Sequence, residues 1–160
     1  MEPRIETLKE KKLVGMHIRM SLADNQTFAL WSGFGPRRRE VKALNTDLFS
    51  LQVFPLSYDF HRFDPQASFE KWAAAEVASF DDVPEGMDTL VLPEGLYAVF
   101  IHKGPASEGE RTFRYIFHTW LPSSGYMLDN RPHFELLGAK YKNNEPDSEE
   151  EVWIPIRSLE

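Results

Sequence analysis

Apolar and polar positions alternate over short stretches along most of the chain, and the alternation predicts strands separated by two helices. Residues 4–8 and 12–20 (KLVGMHIRM) read as strands; the second puts Val14, Met16, Ile18 and Met20 on one face and Gly15, His17 and Arg19 on the other. Asp24 or Asn25 is placed to cap a short helix through Thr27, Phe28, Leu30, Trp31 and Phe34, which Gly33, Gly35 and Pro36 interrupt. Residues 48–54 (LFSLQVF) read as a strand, and so do residues 69–80 (FEKWAAAEVASF), although the three alanines also permit a helix. Residues 81–86 (DDVPEG) make an acidic, turn-rich link, the one plausible internal boundary. Beyond it, residues 95–103 (GLYAVFIHK) form a strand. Ser107 and Glu110 then have the spacing of a capping box before a helix whose stripe is Phe113, Ile116, Phe117, Trp120 and Leu121. Residues 132–141 (PHFELLGAKY) read as a strand and residues 143–150 as a polar loop. Residues 152–156 (VWIPI) form the last strand, where Pro155 predicts an edge or a bulge.

The halves match at a constant offset of 85, which pairs His17 with His102, Phe28 with Phe113 and Phe49 with Phe134. The order strand, helix, strand, strand recurs with these pairs. The expected fold is therefore α+β: a duplicated βαββ module, an antiparallel sheet with two main helices and a central groove. A single domain over residues 1–160 is expected, with repeats at about 4–80 and 92–157. At the same offset Glu135 corresponds to Ser50, so only one half supplies an acid. Glu135 shares a strand face with His133, Leu137, Ala139 and Tyr141, and an acid there must be solvated, paired or awaiting a cation.

Composition narrows the chemistry. With 160 residues, 42% hydrophobic and 13% aromatic, the chain can bury a substantial core. No apolar run approaches the length of a membrane span and no signal peptide opens the chain, so a cytoplasmic address without membrane contact is expected. The absence of cysteine removes disulfides, thiol nucleophiles and thiolate metal sites. The net charge of −7 argues against direct nucleic-acid binding, and the run Arg37, Arg38 and Arg39 reads as a solvated helix face. The five histidines lack metal-ligand spacing and no nucleophile motif stands out, so neither a metal nor a cofactor is expected.

The succession LPEGLYAVFIHKGP, FRYIFHTWLPSSGY, RPHFELL and EEVWIPI resembles the GyrI-like ligand-binding domain, found also as the effector-binding part of AraC-type and MerR-type multidrug regulators. The likeness is close over the second half and loose over the first. It implies a duplicated βαββ fold with a central groove, where an acid on the strand matching PHFELL receives cationic amphipathic molecules. That acid would be Glu135. It also implies a stand-alone member, of the sort seen among integron cassette proteins.

Under this reading the ligand-binding residues are Glu135 with Trp31, Trp72, Tyr97, Phe117, Trp120 and Trp153, about half of the tryptophans being expected to touch the groove and the rest to be core. A buried carboxylate among rings suits a lipophilic cation, whose charge offsets the burial cost and whose surface the rings attract. Binding without chemistry is the first expectation. The alternative is hydrolysis of cyclopropane-bearing alkylators with Glu135 as general base, which some members of the resembled family perform. Contact with a protein partner, as in gyrase inhibition, stays open.

Overall fold

The structure, a computed structural model, describes residues 1–62 and 64–159. A short strand β1 (Arg4–Leu8) precedes the first unit: β2 (Lys11–Ser21), α1 (Thr27–Arg37), β3 (Leu48–Val53) and β4 (Ser68–Val77). β5 (Asp88–Leu92) bridges to the second unit, β6 (Gly95–Lys103) and α2 (Gly109–Tyr115). The helix runs on through a wider π turn at Ile116–Trp120 and a last turn at Leu121–Ser123. After the short β7 (Tyr126–Leu128), β8 (His133–Leu137) and β9 (Glu149–Ser158) complete the chain.

The strands form one antiparallel sheet in the order β1-β6-β9-β8-β3-β4-β2-β5, with β7 paired to β9. Leaving out the end strands, this order reads the same from either side: first, third and second strand of each unit, meeting along β3 and β8. Ser50 faces Glu135 across that central pair, so the pseudo-twofold axis of the duplication passes through a position where the halves differ in charge.

Register refines the expected repeat. The offset of 85 holds on the central strands, where Phe49 and Phe134 face the same core and their rings lie 5.5 Å apart. It slips on the first strands: Met16 opposes Ala73 and Phe100 opposes Val152, which makes Met16 the mate of Phe100. His17 and His102 consequently lie on opposite faces. On the last strands Ala73 faces Ser50 and Val152 faces Glu135, so Lys71 is the mate of Glu150. Loops of different length cause the slippage. Phe28 is no mate of the packed Phe113 either, being 86% exposed at the start of α1.

Each helix covers its own unit on the same side of the sheet. Leu30 and Phe34 of α1 pack on Val14, Ala73, Ala75 and Val77, and α2 buries Ile116 on Ala98, Phe100, Val152, Ile154 and Ile156. The other side packs on itself. One cluster takes Leu8 from β1 and Leu92 from β5, the two ends of the strand order, together with Leu13, Leu51, Trp72, Tyr97, Phe134 and Trp153. The sheet therefore curls until its ends share a core, which satisfies an apolar face that no helix covers. The strands approach closely enough at Gly15 that a Cβ there would lie 2.0 Å from the carbonyl oxygen of Ala73.

Three local expectations change. The capping box at Ser107 and Glu110 does not form; helix α2 starts two residues later, and the Ser107 N–H donates to Asn144 Oδ1 instead. At α1 the cap position falls on Gln26, but Asn25 Oδ1 accepts the Thr27 N–H at 3.0 Å, answering one orphan donor. Pro155 lies in an interior strand, neither at an edge nor in a bulge. Its carbonyl accepts from the Asp129 N–H between the stretches where β8 and β7 pair with β9, so its missing N–H interrupts no ladder. No helix among the described residues is long and apolar enough to cross a membrane.

Candidate functional site

Because α1 sits over β2 and β4 and α2 over β6 and β9, the helix-side faces of β3 and β8 pass between the helices. Strand alternation turns Ser50, Gln52, His133 and Glu135 to that side. Lys71 on β4 stands opposite Gln52, and Glu150 on β9 opposite His102. Both follow the same stripe as apolar residues beneath the helices: Ala73, Ala75 and Val77 continue from Lys71, while Val152, Ile154 and Ile156 continue from Glu150. The central strip thus carries two carboxylates and one ammonium among groups held by apolar neighbours.

Glu135 is 9% exposed. Its Oε1 accepts from Gln52 Nε2 at 3.2 Å and lies 3.8 Å from Lys71 Nζ, an ion pair without a hydrogen bond. Its Oε2 is buried with no hydrogen-bond partner among the described residues. Burial raises the Glu135 carboxyl above the usual range, opposed by Lys71 and Gln52. Burial likewise lowers the Lys71 ammonium, opposed by Glu135 and Glu150. Glu150 is pushed up to about 7, first by burial and then by Glu135, with Lys71 acting the other way. The same acids, after burial, raise Tyr141.

An aromatic cluster borders this strip. Phe60, in the loop between β3 and β4, stacks on His133 at 5.3 Å between centroids and on Phe117 of the π turn at 6.1 Å. Phe54 contacts Tyr58, Phe60, Phe69 and His133. Burial, helped by Arg131, holds His133 down to about 3, so its ring is neutral at ordinary pH and serves as a flat surface.

Of the ring residues expected beside Glu135, Phe117 reaches this neighbourhood through Phe60 and His133. Trp31 packs from α1, edge-on to Phe34, and Trp120 packs from the π turn between Phe100 and Tyr126. The other three point away from Glu135. Trp72 stacks on His17 on the curled core side, Trp153 stacks on Phe134 there, and Tyr97 is fully buried with its hydroxyl donating to the Pro132 carbonyl. They are opposed in register to Leu51, Phe134 and neighbours, whereas Glu135 opposes Ser50 and Val152. Arg131 binds Asp129 and the carbonyls of Leu96 and Ile156, not Glu135.

Sequence reading passed over Lys71, Gln52, Glu150 and Phe60. A signal existed for two of them: each is the single charge in a period-two apolar stripe. Phe60 had none, since a loop's path depends on what it packs against. Two surface hollows lie elsewhere. One of about 280 Å³ is lined by Met16, Ile18, Leu30 and Gly33 among others, and one of about 470 Å³ by Arg111, Arg114, Tyr115, His118 and Thr119. Among the described residues no three His, Asp or Glu side chains converge to hold a metal ion.

Comparison with known proteins agrees with this architecture. The chain is 29% identical over 157 residues to the transcriptional regulator BrlR of Pseudomonas aeruginosa, matching 98% of this chain and 56% of BrlR. It therefore spans about half the length of that relative. The structure of SAV2435 bound to tetraphenylphosphonium superposes with a TM-score of 0.78 at 16% identity, over 99% of this chain and 96% of that one. An integron cassette protein from Vibrio cholerae superposes with a TM-score of 0.66 at 15% identity, over 98% and 96%. Residues 1–157 match the family profile of the GyrI-like small molecule binding domain, and the chain belongs to that family.

Proposed function

We propose that the chain binds lipophilic, aromatic monocations at the strip between its helices, with Glu135 as the counter-charge. The observation that carries this reading is the buried, unbonded Oε2 of Glu135. An acceptor left unsatisfied in the interior costs about 1–3 kcal/mol, more when charged, and a cation brought to it recovers that cost. Phe60 and Phe117 supply ring faces, each worth about 0.5–2 kcal/mol to a desolvated cation, and the neutral ring of His133 adds flat surface. Rings select by shape and π surface, so the expected selectivity is broad. The ligand named with SAV2435 has this chemistry, a single charge inside four phenyl rings.

Calorimetric titration with tetraphenylphosphonium and with the neutral triphenylphosphine oxide tests the reading. Glu135→Gln is expected to weaken the cation at least about tenfold and to leave the neutral compound within about twofold. Equal loss for both, or none for either, would overturn the assignment.

A further inference from the structure

We infer that Lys71 and Glu150 set the charge of the ligand: flanking Glu135 as mates across the duplication, they leave room for one positive charge and disfavour two. The inference rests on the cation-binding reading and adds the valence of the ligand to it. Three features lead there. Lys71 and Glu150 occupy equivalent register positions on β4 and β9, so the duplication delivers opposite charges to the two sides of one central acid. Lys71 is only 7% exposed in its side chain and stands at ion-pair distance from Oε1, which occupies one side of Glu135 and leaves Oε2 unbonded. A structural role would be complete with one ammonium and one carboxylate. Glu150 adds a second carboxylate that Lys71 cannot also neutralise; its carboxyl is raised first by burial and then by the charge of Glu135. Lys71 is then a resident cation: it shares Glu135 with a ligand's single charge and repels a second.

The test compares tetraphenylphosphonium with a bis-phosphonium of two triphenylphosphonium groups joined by a four-carbon chain, titrated into the full chain. The parent is expected to prefer the monocation after correction for ring surface, using the neutral phosphine oxide as reference. Lys71→Met is expected to raise the dication-to-monocation affinity ratio roughly 10- to 100-fold, the effect of one unit charge about 6–12 Å from the second phosphonium at an effective dielectric constant near 20. Lys71→Arg, which keeps the charge, restores the parent ratio. Glu150→Gln is expected to lower the ratio and to weaken the monocation several-fold.

A ratio unmoved by Lys71→Met and by Glu150→Gln, with Glu135-dependent binding intact, overturns the role of the flanking pair alone. Loss of Glu135 dependence in the parent overturns the cation site and this inference with it. Binding of the monocation that appears only in Lys71→Met also overturns the inference, because Lys71 would then exclude the first charge as well as the second.

Discussion

Glu150 carries a carboxyl pushed up to about 7, so it is half protonated near neutral pH. Its ionised form is the one a cation favours, and binding must therefore release protons. Affinity for tetraphenylphosphonium is expected to rise several-fold from pH 6 to pH 7.5, with proton release on binding and a shallower profile in Glu150→Gln. Titration in two buffers of different ionisation enthalpy measures the proton directly; no release would contradict the coupling. Tyr97 offers the converse control. Its hydroxyl bonds Pro132 in the core behind the sheet, so Tyr97→Phe is expected to cost about 1–2 kcal/mol of stability in urea unfolding and to leave ligand affinity unchanged. At this scale the acid was legible, because a carboxylate in an apolar strand is conspicuous in any sequence. Its ring neighbours were not, since Trp72, Tyr97 and Trp153 look alike in sequence whichever face they occupy.

The elements followed the periodicities closely where those periodicities were long. Of residues 69–80, with their three alanines, the part up to Val77 forms the strand β4; Ala73 and Ala75 lie under α1, where larger side chains would hold the helix off. Two short strands, β5 and β7, are not predicted by the sequence: DTLVL does not alternate, and three residues are too few to be distinguished from a turn. The capping box failed for a related reason. Ser107 had a competing partner in Asn144, a residue remote in sequence, and a local motif yields when tertiary contact offers its donor another acceptor. Close strand approach makes a further expectation. Gly15→Ala would drive a Cβ into the backbone of Ala73 and Ala74, neither of which can yield like a side chain, and is expected to cost about 3 kcal/mol or to prevent folding. A thermal melt indistinguishable from the parent's would refute the tight crossing.

On the scale of the molecule, the duplication and the curl of the sheet act together. Leu8 and Leu92 come from the two end strands yet share one core with Phe49 and Phe134 from the two central ones, so neither unit owns that core. The chain is accordingly expected to unfold in a single transition, with fluorescence and far-ultraviolet dichroism superimposed, and residues 1–92 alone are expected to remain unfolded. Two resolved transitions would mean that the acidic link at residues 81–86 separates independent bodies.

The sequence by itself determined the units. Periodicities of two and 3.6 residues are properties of adjacent side chains, and the repeated order of strand, helix and strands, the apolar stripes and the isolated carboxylate at position 135 all follow from them. Only the tertiary structure decided what stands beside that carboxylate. Lys71 and Glu150 meet it through register between strands distant in sequence, and Phe60 reaches the strip by a loop path that no local preference encodes. Register is a relation between chains of side chains brought together by burial, and a difference of one residue reverses every face. The offset of 85 therefore found the axis of the duplication and still misplaced its flanks.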